Sequence, residues 1–174
     1  MRNRILLALC LVLTGCGAEG DKSQAGAFQT NQTCGLRVQL GGGLVASLTG
    51  ADTELACVTP IGPAGIHATF VPIQGALGYF DLDASGIGKG ATGKEFAAEV
   101  RLIARDEGRE WSAEDCTIDI AKHEYLGPGE LGEQYRAEGS GRCAAPAPSA
   151  SGGDEPVTIG PFDFVVSIAW LGPG

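Results

Sequence analysis

Cysteine is the residue type with the widest chemistry in this sequence, because a thiol can be acylated, oxidised to a disulfide or coordinated to a metal ion. The chain of 174 residues contains six cysteines, at positions 10, 16, 34, 57, 116 and 143. No two of them have the close C-x-x-C spacing that zinc ligands usually show, so the spacing argues against a zinc site. Their chemistry therefore depends on the compartment in which the chain works.

The first sixteen residues have the order of an export signal. Arg2 and Arg4 precede an uninterrupted apolar run over residues 5–13, and the sequence LTGC at residues 13–16 follows with small residues. A basic start, an apolar middle and a small-residue end are the three parts of a secretory signal peptide. The apolar run is too short for a transmembrane helix, which needs about 20 apolar residues.

The LTGC sequence also resembles the lipobox of bacterial lipoproteins, in which the cysteine is acylated and the signal is cut just before it. The resemblance implies that residues 1–15 are removed and that Cys16 becomes a lipid-bearing amino terminus. Because Gly17 rather than Asp follows this cysteine, the resemblance also implies the outer membrane, with the protein facing the periplasm or the cell surface. An ordinary secretory signal with an incidental cysteine is the alternative.

The charge of the chain narrows the range of partners. The formal net charge is −9, and loss of Arg2 and Arg4 with the signal changes it to −11. The remaining Lys and Arg residues are scattered among acids, whereas nucleic-acid binding needs clustered cations, so we expect no nucleic-acid partner. Attraction to anionic lipid is disfavoured for the same reason, and membrane contact is expected through the lipid on Cys16. The sequence identifies no protein or glycan partner.

Three regions are predicted along the chain: a signal peptide at residues 1–15, a lipidated flexible tether at 16–33 and a folded domain at 34–174. Residues 17–33 contain one aromatic residue and no apolar periodicity, which is typical of a tether.

Four cysteines remain once Cys10 leaves with the signal and Cys16 carries lipid. In an exported protein an even set predicts two disulfides, and four cysteines allow three connectivities. We favour the sequential pairing, Cys34 with Cys57 and Cys116 with Cys143.

The strand pattern supports the second of these pairs. If Cys116 lies opposite Cys143 in an antiparallel pair, Ile118 falls opposite Gly141, so that a bulky side chain meets space. A slip of one residue would turn one of the two cysteines to the wrong face of the sheet. The alternation therefore favours this disulfide independently of the cysteine count.

Short runs of alternating apolar and polar residues, separated by Gly, Pro and Asp, predict strands through most of residues 34–174. In the last run Phe162, Phe164 and Trp170 share one parity and are expected to face the core from a central strand; an exposed aromatic row that stacks on sugars is the alternative. We predict an all-β fold with little or no helix, a single antiparallel β-sandwich or flattened barrel of about seven to nine strands. The stretch from Trp111 to this last run also resembles uncharacterised bacterial envelope lipoproteins, which implies no function.

The sequence DLDASG at residues 81–86 resembles the first half of an EF-hand calcium loop. Asp81 and Asp83 would supply carboxylates and Ser85 a hydroxyl, before the glycine of the turn. The second half lacks the bidentate glutamate of such loops. We favour a solvated hairpin tip over residues 86–93 with the two aspartates on its outward face, and keep calcium as the alternative.

No catalytic motif is present, since G-x-S-x-G, H-E-x-x-H and the phosphate-binding P-loop are all missing. The two histidines, His67 and His123, have no nucleophile nearby in sequence, so both are predicted to lie on the surface or in turns. A hydrolase would need a cleft that gathers one of them with acids. We expect a noncatalytic envelope lipoprotein with a binding or structural role; the alternative is a calcium-assisted carbohydrate- or ligand-binding sandwich that uses Asp81 and Asp83.

Overall fold

The computed structural model describes residues 28, 31–51, 54–59, 65–106, 108–130, 132–153 and 155–171. The regular secondary structure of these residues consists of strands alone, which confirms the predicted all-β class. In chain order they are β1 (Cys34–Gly42), β2 (Ala46–Ala51), β3 (Leu55–Val58), β4 (Gly65–Pro72), β5 (Leu77–Ser85), β6 (Gly93–Ala104), β7 (Glu110–Gly129), β8 (Gly132–Cys143), β9 (Val157–Ile159) and β10 (Phe162–Trp170). They form one ten-stranded sheet, slightly more than the sequence predicts.

The sheet curls until its two ends nearly meet. Neighbouring strands follow the order β2-β1-β10-β8-β7-β6-β5-β4-β3, and β9 also pairs with β1. The two end strands, β2 and β3, are consecutive in the chain, and the disulfide between Cys34 and Cys57 joins β1 to β3 across the opening. Thr59 adds a hydrogen bond from Oγ1 to the carbonyl oxygen of Ser167, 3.1 Å away. Of the two predicted forms, the nearly closed, barrel-like sheet describes this domain.

The first disulfide forms as predicted, but β3 reaches it by a different route. The sequential cysteine pairing predicts that residues 54–58 return alongside the first strand, but β3 pairs with β4 and places Cys57 opposite Phe70. The edge of β1 that β3 would need is taken by β2, which pairs with β1 from Gly35 to Leu40. Curling of the sheet then brings β3 beside the start of β1.

Aromatic side chains of β10 fill the centre of the core. Phe162, Phe164 and Trp170 are 1%, 0% and 5% exposed, and β10 lies between β1 and β8. The prediction of a central core strand is confirmed, and the alternative of an exposed aromatic row is wrong. The alternate residues of β10 that the sequence assigns to the core, from Phe162 to Trp170, are therefore all buried.

The second disulfide also forms as predicted, with Cys116 of β7 opposite Cys143 of β8 and Ile118 opposite Gly141. The space at Gly141 is used by a third strand, because Phe162 of β10 lies opposite this glycine on its other side. A β-carbon at position 141 would collide with the phenyl ring of Phe162. The glycine thus lets an aromatic ring of one strand pack over the backbone of the next.

The end of the predicted tether packs against the domain. Phe28 and Gln32 are buried, and both lie against Gly35 on the outward side of β1. A β-carbon at position 35 would lie 2.7 Å from Phe28 Cε1 and 2.5 Å from Gln32 Nε2. The Arg37 guanidinium also lies 4.4 Å from the centre of the Phe28 ring, within the range of a cation–π contact. The packed region therefore begins before the predicted boundary at Cys34; we call Phe28 together with residues 31–33 the strap.

The proline- and alanine-rich segment after β8 is more ordered than its composition predicts. The sequence indicates a simple connection over residues 144–156, yet Ala147 is completely buried and forms an isolated bridge with Val157. A second bridge joins Ser149 to Trp111 of β7. The segment thus continues the pairing of β7 beyond the point where β8 ends.

Candidate functional site

The predicted lipid attachment residue, Cys16, lies outside the described residues, as does the predicted signal peptide, so both stay predictions. The other predicted site cysteines, Cys34, Cys57, Cys116 and Cys143, form the two disulfides. Two disulfides indicate an oxidising environment, as exported proteins meet. Across the described ranges, no helix has the length and apolar character needed to cross a membrane.

The three predicted calcium ligands lie on a strand rather than in a loop. Asp81, Asp83 and Ser85 all belong to β5, where alternate residues share one face. The Arg101 guanidinium donates two hydrogen bonds to Asp81 Oδ2, at 3.2 and 3.0 Å. This contact raises the pKa of Arg101 above its ordinary value, first through the hydrogen bond and then through the charge of Asp81. Asp83 Oδ2 lies 2.9 Å from Nδ1 of His67.

Through these contacts Asp81 pairs with Arg101 of β6, and Asp83 pairs with His67 of β4. Cross-strand neighbours place His67 beside Asp83 on one side and Glu99 beside it on the other. The outward face of β4, β5 and β6 thus forms an open depression of about 350 Å³ with charged walls. Among the residues that the structure describes, no group of three or more His, Cys, Asp or Glu side chains has an arrangement able to hold a metal ion.

Calcium binding through Asp81 and Asp83 stays a prediction, and thermal melts with and without calcium can test it. Calcium takes six to eight oxygen ligands, and reaching that number here would require displacing Arg101 and His67 from the two carboxylates. We therefore expect the melting temperature to be unchanged by millimolar calcium, with Asp83→Asn behaving like the wild type. A rise in melting temperature with calcium that Asp83→Asn abolishes would establish the calcium site.

The two histidines have different surroundings, and only one matches its prediction. His67 lies on the outward face, and within the described chain its ring hydrogen-bonds Asp83 alone. His123 is buried, which corrects the prediction of a surface or turn position. The physical reason is a register shift between Ile120 and Lys122 of β7, which inserts one extra residue and turns His123 inward. The structure therefore places His67 with Asp81, Asp83 and Glu99 in the open depression, whereas His123 lies apart from it in the core.

The surroundings of His123 determine which of its ring nitrogens carries the proton. Its Nδ1 lies 3.1 Å from the carbonyl oxygen of Ala91, and because a carbonyl only accepts, Nδ1 carries the proton of the neutral ring. Burial lowers the pKa of His123, and the bond to Ala91 opposes this shift only in part. The ring packs edge-on against Tyr135, with centres 5.3 Å apart, and tilted against Trp170 at 6.1 Å.

Sequence reasoning missed a buried cation beneath the strap. Arg136 of β8 is on the outward parity, yet it is only 2% exposed. Its Nε donates to the carbonyl oxygen of Gln32 at 2.7 Å, and its Nη1 donates to Glu138 Oε2 at 3.0 Å. The signal available in the sequence is weak: Phe28 is the one aromatic residue of the predicted tether, and its ring lies against Gly35 of β1. The cation therefore ties the strap to the outer face of the domain.

The opening between the sheet ends forms a groove beside an end strand of the sheet. It is a cleft of about 300 Å³ between β2, the start of β3 and the end of β4. Among the described strands β2 is an end strand of the sheet, and it pairs along one edge only, towards β1. The free edge of such a strand can accept an added strand through backbone hydrogen bonds, and residues 38–51 contain no charged side chain to oppose it.

Fold and site together define an all-β domain with two disulfides, one of which closes the sheet, and a docked amino-terminal strap. Comparison of the chain with known protein families, curated proteins and solved structures finds no significant match.

Proposed function

We propose that this chain is a lipid-anchored protein of the bacterial envelope, at the outer membrane, whose domain has a noncatalytic binding or structural role. The resemblance of residues 13–16 to a lipobox supports a lipid on Cys16. The two disulfides agree with the oxidising compartment that such an anchor requires. Anchoring by lipid also suits an acidic surface, which would not be drawn to anionic headgroups.

The observation that carries this proposal is the lipobox-like sequence at residues 13–16, and the docking of the strap determines where the chain leaves the domain. Phe28 and Gln32 are held on the outer face of the sheet by Gly35, Arg37 and Arg136. The chain towards the predicted lipid therefore leaves the domain from a fixed point on its side. From Cys16 to Phe28 the chain spans at most about 40 Å when fully extended. An anchored domain would thus work within about 40 Å of the membrane.

Replacing Cys16 tests the anchor. We expect Cys16→Ala to move the protein from the membrane fraction to the soluble fraction of cells, because no acyl chain can be attached. The measurement is fractionation with detection by antibody, together with mass spectrometry of the amino terminus for the added lipid. The soluble variant should retain both disulfides, as read by non-reducing peptide mapping.

The matched control is Cys10→Ala, which removes the other cysteine of the first sixteen residues. This variant should stay in the membrane fraction and carry lipid, because position 10 lies within the predicted signal. Recovery of Cys16→Ala in the membrane fraction at the wild-type level would refute the anchor, and so would an unmodified amino terminus in the wild type.

A further inference from the structure

A row of apolar residues crosses the outward face of the sheet from β3 to β6. Ala56 lies opposite Val71, and Tyr79 lies opposite Ile103. The antiparallel register of β4 and β5 also brings Val71 beside Tyr79. These four residues form what we call the apolar stripe, which runs across four neighbouring strands.

The stripe faces solvent, where an antiparallel sheet normally carries polar residues. Tyr79 is 43% exposed, and Ala56 is exposed on the neighbouring end of the sheet. Val58 and Ile73, which flank the stripe, are 57% and 59% exposed. Contiguous apolar side chains on a surface mark sites of interaction, whereas single ones do not. The stripe is therefore a candidate contact surface.

Carboxylates lie directly beside the stripe, in the open depression of β4, β5 and β6. On β5 the same face carries Tyr79, then Asp81 and then Asp83. Asp83 lies directly opposite Glu99 of β6, and like charges in such a position destabilise a sheet. The side chain of Asp83 is 57% exposed, so a cation from outside can reach it. A cationic group between these two carboxylates would relieve their repulsion.

We propose that the stripe and the depression together bind a basic amphipathic helix of a protein partner. Its apolar side chains would lie on the stripe, with a lysine or arginine against Asp83 and Glu99. Strands about 4.8 Å apart place the ends of the stripe about 14 Å apart, close to three helical turns of about 5.4 Å each. Apolar residues three or four positions apart on the helix would thus meet successive strands. The inference rests on the noncatalytic binding role proposed above, and not on the lipid anchor.

Charge favours this partner over a second copy of the chain and over a membrane surface. Arg101 is held by Asp81, and the chain as a whole has a formal net charge of −9. Two copies that met through this face would bring carboxylates against carboxylates. Anionic headgroups would be repelled for the same reason. A helix that carries lysine or arginine beside its apolar face complements both parts of the surface.

Titration calorimetry with a synthetic peptide tests the docking surface. The probe is a peptide of about 14 residues with leucine on one helical face and lysine on the other. The full chain is used as isolated from cells, in phosphatidylcholine nanodiscs if it carries lipid and in buffer if it does not, with empty nanodiscs as the blank. We expect the lysine peptide to bind, and the same peptide with glutamate in place of lysine to bind at least about tenfold more weakly.

Substitutions on the outward face separate the two parts of the surface. Tyr79→Ser should weaken binding at least about tenfold, because it removes the aromatic contact of the stripe. Asp83→Asn combined with Glu99→Gln should reduce the preference for the lysine peptide. The matched control is Tyr125→Ser, which removes a tyrosine of β7 that is 55% exposed and lies outside the stripe, and it should bind like the wild type.

A cross-linking measurement on the wild type avoids any effect of the substitutions on folding. A photoreactive group on the leucine face of the peptide should attach to β3, β4, β5 or β6, as read by mass spectrometry. Absence of binding, equal binding of the two peptides, wild-type affinity in Tyr79→Ser or cross-links elsewhere would overturn the docking surface.

Two other outcomes would assign the stripe to a different occupant and overturn the proposal as well. One is a dimer in light scattering that Tyr79→Ser abolishes. The other is protection of Tyr79 from chemical labelling by nanodiscs without peptide. None of these results bears on fractionation of Cys16→Ala, so failure of the docking surface and failure of the lipid anchor can be told apart.

Discussion

Replacing Arg136 by Met should lower the free energy of unfolding by about 3 kcal/mol, because it breaks a buried charged network from one side. Met keeps much of the volume of the side chain but donates no hydrogen bond to the carbonyl of Gln32 or to Glu138. Glu138 would keep the longer contact with Lys122, whose Nζ is 3.5 Å from Oε2. Urea denaturation followed by circular dichroism gives the change in free energy.

The matched control lies on the same strand. Arg142 also pairs with a carboxylate at 3.0 Å, that of Glu95, but the side chains of both are more than half exposed. Arg142→Met should therefore cost no more than about 1 kcal/mol, as expected for an exposed ion pair. Equal losses in the two variants would contradict the role given to burial under the strap. Hydrogen exchange should also rise at residues 31–33 in Arg136→Met alone, since their contact with β8 is lost.

Removing either disulfide should have a similar global cost but a different local effect. The two close sequence separations of 23 and 27 residues, for which the chain-entropy model gives about 3.5 kcal/mol each. Cys116 and Cys143 link strands that already pair along most of their length. Cys34 and Cys57 link strands that are not paired with each other. The first disulfide is therefore the covalent closure of the sheet.

The test uses two double variants, Cys34→Ala/Cys57→Ala and Cys116→Ala/Cys143→Ala. Thermal and urea melts should show comparable losses, whereas hydrogen exchange at β3 and at the end of β4 should rise in the first variant only. Local opening there would mean that the native state relaxes where β3 lies beside β1. Unchanged exchange at β3 would show that pairing with β4 alone holds this end of the sheet.

Several features of the fold could be predicted because they depend on the period of the strand itself. Side chains alternate between the two faces of a pleated strand, so parity alone placed Phe162 and Phe164 in the core. The same rule fixed the register of Cys116 and Cys143, since a shift by one residue would separate the two thiols. Cysteine count and signal-like residues likewise need no tertiary structure, and they supply the predicted compartment.

Simple alternation along β7 predicts the wrong face of the sheet for His123. Counting in twos from Ile120 turns Lys122 inward, whereas the observed shift in register leaves Lys122 exposed and buries His123. Whether such a bulge forms depends on the pairing of β7 with β8 and on which side chains fit into the core. Neither the extra residue nor its effect on the protonation of the ring is visible along one strand.

The remaining features of the fold depend on contacts between residues that are far apart in the sequence. Arg136 and Gln32 are 104 residues apart, and Thr59 and Ser167 are 108 apart, yet both pairs are hydrogen-bonded. The sequence by itself determined the strand faces, the all-β class and the disulfide pairing that strand register favours. Only the tertiary structure decided that the sheet closes, that a strap covers Arg136 and that β3 joins β4, because each depends on which surfaces meet when the sheet curls.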